Sequence, residues 1–151
     1  MIMEGRIKLE KLLVRAHVEA KKAWDLGAAE TQMDSVLHNI RGAQWHWDYA
    51  AASHGASFHS PVEISRTISS GIAIAQDARV ELARVLAELG HNEKIPYPDI
   101  STKAKAQVFV GLPMEELREE KEEFLNTIVP QWEQMAAQRE ASWPTAKELR
   151  R

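Results

Sequence analysis

Histidine is the side chain whose type and placement in this sequence point to chemistry. Three of the six copies fall within Arg41–Glu63, RGAQWHWDYAAASHGASFHSPVE. His54 and His59 stand on either side of a helix-stop/helix-start junction marked by Gly55 and Pro61. His59 lies just before the N-cap position of the following helix, where backbone N–H groups and the helix dipole disfavour an imidazolium. A neutral imidazole held on such a short loop is a good axial ligand for iron, and it is equally a loop histidine partly open to solvent. His54 ends an apolar seam beside Ala50 and Trp47, so it caps the last carbonyls of its helix or packs with one nitrogen satisfied. His46 falls one residue off that seam. His17, His38 and His91 have no partner at metal-ligand spacing.

The other chemical options close quickly. Glu115, Glu116, Glu119, Glu120, Glu122 and Glu123 alternate with Arg118 and Lys121, a pattern better explained by a solvated helix face than by a metal site. A di-iron carboxylate bundle needs Glu-x-x-His on two helices, and the match Glu88 to His91 straddles Gly90, past a helix end. The sequence has no H-E-x-x-H, Walker loop, Gly-rich dinucleotide motif or nucleophile elbow. Cysteine is absent, which excludes disulfides, thiol chemistry, Cys-ligated zinc, iron–sulfur clusters and covalent C-x-x-C-H haem attachment on this chain.

The elements that must position these residues are helices. The chain has 151 residues, 44% apolar and 27% charged, which fits one domain with a real core and no disorder. No run approaches the roughly 18 apolar residues of a transmembrane helix, no secretory signal core is present, and a formal charge of −3 leaves no footprint for nucleic acid. Leu9, Leu13, Ala16, Ala20 and Ala23 form an apolar seam in a helix of about 4–26 that Gly27 stops. Val36, Ile40, Ala43, Trp47 and Ala50 continue the pattern over 31–54. A third helix, 61–89, has Ser60 as expected N-cap, Pro61 at its first position and Glu63 as capping-box acid. Its seam runs from Ile64 through Gly71, Ala75 and Ala78 to Leu82, Val85 and Leu89, and Gly90 ends it. Pro96 and Pro98 make His91–Ile100 an extended connection. Ser101 caps a short helix over 102–110, and Pro113 opens a last helix over 113–140, which Pro130 should kink. The expected fold is all-α, a single helical domain over 1–151, its long antiparallel helices packed as a bundle or a coiled-coil-like hairpin. Trp47 belongs to the seam. Trp45 faces elsewhere, toward another subunit, a cofactor edge or the rest of a larger protein.

The Arg41–Glu63 run resembles the C-terminal helical region of the ammonia-forming, multihaem cytochrome c nitrite reductases. AHVEAKKAWDLGA precedes it, and IAIAQDARVELARVLAELG, PDISTKAKAQ and IVPQWE follow in that family's order, so the resemblance covers about Leu12 to Gln138. It implies a periplasmic parent enzyme that reduces nitrite to ammonia with six electrons on covalently attached haems. Long C-terminal helices in that parent pack on the haem domain and supply much of a homodimer interface. His59, in an F-H-x-P-like junction, is similar to a distal axial ligand of an electron-transfer haem. Some relatives carry a further histidine where this chain has Ser57, to which no role is assigned.

The haem-attachment cysteines, the residues around nitrite and the calcium site of that family lie upstream and have no counterpart here. The resemblance therefore implies a non-catalytic segment: a truncated reading frame, an expressed fragment, or a small product that docks with a haem-bearing polypeptide. Haem c is expected in the parent enzyme and not covalently on this chain, and neither nucleic acid nor a membrane is expected as a partner. The alternative is a stand-alone helical interaction module that self-associates without redox activity. Non-covalent haem binding through His59 is a third option that a single axial ligand without a pocket disfavours. If the helices cover a haem domain, faces including Trp45 or Phe58 should lie bare or be buried by self-association.

Overall fold

The computed structural model describes residues 2–53 and 55–143. Among them the chain forms α1 (Ile2–Asp25), α2 (Glu30–Ala52), α3 (Ala56–His59), α4 (Pro61–Glu88), α5 (Lys103–Phe109) and α6 (Met114–Ala141), and no strand. The all-α expectation holds. Two compact units divide the chain, Met1–Tyr97 and Pro98–Arg151.

In the first unit α4 is the central helix, packed against both α1 and α2. The seams read from the sequence are the buried ones: Leu9, Leu13, Ala16, Ala20 and Ala23 on α1; Val36, Ile40 and Ala43 on α2; Ile64, Ile68, Ala75, Ala78 and Leu82 on α4. Leu9, Ile64 and Leu82 are entirely or almost entirely out of water, and burial of each such side chain stabilises the fold by about 1.5–3 kcal/mol. The helices approach closely where α4 offers small residues. A β-carbon built on Gly71 would lie 2.7 Å from Leu9 Cδ2 and 2.8 Å from His46 Cβ.

Three helix ends share one stereochemistry, while α2 and α6 end at Ser53 and Ser142 with negative φ. At Gly27 (φ 88°) the Ala28 N–H donates to Ala23 O at 3.0 Å and the Gly27 N–H to Trp24 O at 2.9 Å, a Schellman closure. Gly90 and Gly111 end α4 and α5 in the same way. Two expected caps differ in detail. Ser60 is the N-cap of α4 but its side chain makes no capping bond, and Glu63 pairs with Arg66 at 2.9 Å instead of reaching back. Thr102, not Ser101, caps α5, accepting from the Lys105 N–H at 3.3 Å.

Beyond α4 the chain runs as an irregular strap over residues 91–97. Ile95 packs against the cluster around Leu82 and Leu86, and the Tyr97 hydroxyl donates to Glu19 Oε1 at 2.5 Å. In the second unit α5 and α6 bury no residue. Lys105 pairs with Asp99, and with the Ser101 hydrogen bonds it holds the Asp99 carboxyl well below the usual carboxylate range. α6 continues unbroken past Pro130 and leaves Phe124, Trp132 and Met135 exposed along one seam. No helix among the described residues is long and apolar enough to cross a membrane.

Two glycine substitutions should change stability in opposite directions. Gly71→Ala forces a methyl against the stiff Cβ of His46, and thermal or urea unfolding should show a loss of about 1–3 kcal/mol despite the better helix former. At Gly42 the added carbon would meet Ile74 Cγ2 at 3.7 Å, an ordinary contact, so Gly42→Ala should stabilise by up to about 1 kcal/mol. A third test concerns pH. Burial, reinforced by the hydrogen bond to Glu19, pushes the Tyr97 hydroxyl above its ordinary value of 10.0. The folded chain thus holds that proton more tightly than the unfolded one, and the associated stability is whole below pH 10 and lost as pH rises through the folded value. Denaturation series between roughly pH 8 and pH 11 should show a decline that is weaker in Tyr97→Phe.

Candidate functional site

The junction between α2 and α4 is built by local rules. α2 ends at Ala52, with the Ser53 N–H donating to Tyr49 O at 3.1 Å. His54, the other expected member of the pair, lies outside the described residues. From Gly55 the chain makes one further turn, α3, which closes as the His59 N–H donates to Gly55 O at 3.0 Å. Pro61 then disfavours helical geometry at the residue before it, and Ser60 accordingly takes φ −142°. The break leaves His59 at the end of a single turn rather than on a free loop, with its side chain pointing back over Gly55. Gly55 lies close enough that a β-carbon there would be 3.4 Å from His59 Cδ2 and 3.9 Å from Nε2.

His59 is exposed, and no hydrogen bond engages its ring nitrogens among the described residues. Phe58 meets the imidazole edge-on, with ring centroids 5.6 Å apart, and is itself 88% exposed. Val62 stands bare on the next turn, at the head of a shallow groove of about 620 Å³ along α4 lined by Pro61, Val62, Ser65, Arg66, Ser69 and Ser70. One imidazole flanked by apolar surface suits a single axial position on a flat aromatic macrocycle. It does not make a metal site alone, since no group of three or more potential ligands occurs among the described residues.

On α2, Trp45 is 60% exposed and stacks on Tyr49 with centroids 5.5 Å apart, whereas Trp47 packs into the core beside Ala43. The two tryptophans thus divide as their helical positions require. The His46 Nδ1–H donates to Gly42 O at 2.7 Å, which engages that nitrogen within its own helix. His17 and His38 are exposed, and His91 Nε2 is buried without a partner among the described residues. The glutamates of α6 are exposed, as a solvated face requires.

The residues that sequence reading missed are Glu19, Arg79 and Tyr97. Glu19 is the one buried charged residue among those described. Arg79 approaches it through Nε at 2.9 Å and Nη2 at 2.5 Å, while the Arg15 guanidinium lies 5.1 Å from the Tyr97 ring centre. Glu19 lies three residues after Ala16 and next to Ala20, so its place beside the seam was a visible signal. Its partner Tyr97, bracketed by Pro96 and Pro98, lies in a segment with no periodicity that would pair the two.

A family model for cytochrome c552 matches residues 1–142. Curated relatives named cytochrome c-552 are similar to this chain over 129 residues. Identity is 54% for Porphyromonas gingivalis, 56% for Parabacteroides distasonis and 55% for Bacteroides thetaiotaomicron, each covering 85% of this chain and 26% of the relative. The chain thus spans about a quarter of the length of these relatives. A cytochrome c family implies haem c and electron transfer in the parent protein, yet with no cysteine this chain has no point of covalent haem attachment. On the match of nearly its whole length, the chain belongs to the cytochrome c552 family.

Proposed function

We propose that this chain is the C-terminal, dimerising and haem-packing segment of a periplasmic cytochrome c nitrite reductase, the class that reduces nitrite to ammonia with six electrons, and that it is inactive alone. The observation that carries the reading is His59: a bare imidazole between exposed Phe58 and Val62, in a cytochrome-family chain without cysteine. The chain's share of the mechanism is then positional. His59 would hold the haem iron through a ring nitrogen, the α3 turn and Pro61 fix where it stands, and Phe58 and Val62 would exclude water from the ring beside it once covered. Haem, when bound, supplies one-electron transfer. Its covalent attachment would come from a haem-bearing region outside this sequence. The stacked pair Trp45 and Tyr49 is a further apolar face for that region to cover, and the bare α6 seam is the surface for a second copy of the chain.

A second reading has its own support. α6 buries nothing over its 28 residues, which is what a stand-alone helical interaction module would also present. Titration with a haem c peptide that has one vacant axial position separates the two. A Soret shift lost in His59→Ala supports the first reading. A stable oligomer with no shift, indifferent to that substitution, supports the second.

Purified chain given nitrite and reduced viologen should form no ammonia, and formation without added haem protein would overturn the proposal. Sedimentation should show self-association that Phe124→Glu with Trp132→Glu weakens at least about tenfold, since each change sets a charge against an apolar contact.

A further inference from the structure

We infer that Glu19, Arg79 and Tyr97 form a clasp that locks the strap 91–97 onto α1 and α4, and that the strap opens as a unit when the clasp is released. This device is independent of the role proposed for His59.

The strap has little else to hold it. Among the described residues its one main-chain hydrogen bond of this kind is the His91 N–H to Leu86 O at 2.8 Å, which belongs to the closure of α4. Ile95 gives it one apolar anchor, only partly buried. At its near end His91 Nε2 is buried with no hydrogen-bond partner among the described residues, so the side chain adds no polar anchor there. A cleft of about 330 Å³ lies at the strap, bordered by Glu19, Arg79, Leu86, His91, Ile95 and Tyr97, so the segment is not close-packed onto the helices.

The far end is different. The Glu19 side chain is 7% exposed, and its Oε1 accepts both from Arg79 Nη2 and from the Tyr97 hydroxyl at 2.5 Å. A buried carboxylate tolerates loss of a donor poorly, so the Glu19–Arg79 pair draws Tyr97 in to complete its shell. The Arg15 guanidinium over the outer face of the Tyr97 ring adds to the hold. Three of the four groups sit on the rigid helices α1 and α4, and Tyr97 is the one contributed by the strap. Tyr97 is also the last residue of the first unit. With the clasp open, the strap is free back to the end of α4, about 3.3 Å of chain per residue.

Lys94, exposed in the middle of the strap, supplies the probe. Trypsin cleavage after Lys94 requires local opening and follows the population of the open strap. Removing the Tyr97 hydroxyl in Tyr97→Phe should raise that cleavage rate about tenfold with only a small fall in the thermal midpoint, while cleavage after Arg66, inside α4, stays far slower than cleavage after Lys94. Glu19→Gln should accelerate cleavage after Lys94 in the same direction, with circular dichroism confirming that the helices remain. Equal cleavage after Lys94 in the parent chain and Tyr97→Phe would overturn the inference. So would equal rates of cleavage after Lys94 and after Arg66, which would mean global rather than strap opening.

Discussion

Close approach of three helices at Gly71 is the constraint on which the first unit depends. The absent β-carbon lets Leu9 of α1 and the backbone-proximal Cβ of His46 of α2 meet α4 at one level. Ala75 and Ala78 extend this narrow contact, and the larger Leu82, Val36 and Met33 fill the space beyond it. Dispersion and apolar burial both grow as backbones approach, so a stripe of small residues supports as firm a core as a stripe of leucines would at wider spacing. The helices of this unit are in that sense specified by what α4 lacks.

The same packing gives His59 its address. α2 and α4 are held side by side, so the few residues between them have little choice of path. The one-turn α3 and the proline-enforced break at Ser60 take up what choice remains. The proposed ligand role of His59 would gain from this arrangement, because its backbone is placed by two long helices while its ring remains accessible. The buried Glu19 shows the opposite solution at the other end of the unit, where a polar group is fixed by being fully engaged.

Much of this was legible in the order of residues. Periodic apolar positions on α1, α2 and α4 became the core, and Gly27, Gly90 and Gly111 became left-handed helix ends, whereas α2 ends at Ala52, short of the expected stop at Gly55. The capping details were less legible. Serine at 60 and at 101 fits the cap preference, but whether a hydroxyl turns toward the helix depends on the neighbouring backbone, and at α5 Thr102 took the role. The α6 seam was readable as apolar and amphipathic, but pattern alone does not say what covers it. His59 emerged as a candidate from its place before the Ser60–Pro61 helix start and from the family resemblance, and its one-turn setting did not. The Glu19 clasp was hidden because its members come from three segments far apart in sequence, joined by geometry rather than spacing. A charged residue beside an alanine seam is ordinarily a solvated flank, and here it is not.

The lack of any buried residue on α6 has a consequence for how this chain behaves in dilute solution. A helix that buries nothing against its own unit is held by backbone hydrogen bonds and neighbouring side-chain pairs, and such helices are only marginally stable in water. Whatever binds the helical form preferentially will stabilise it by mass action. If copies of the chain associate through α6 as proposed, helical content in this part of the chain rises as molecules are brought together. Secondary structure, usually a fixed attribute of a folded chain, would then become a readout of association.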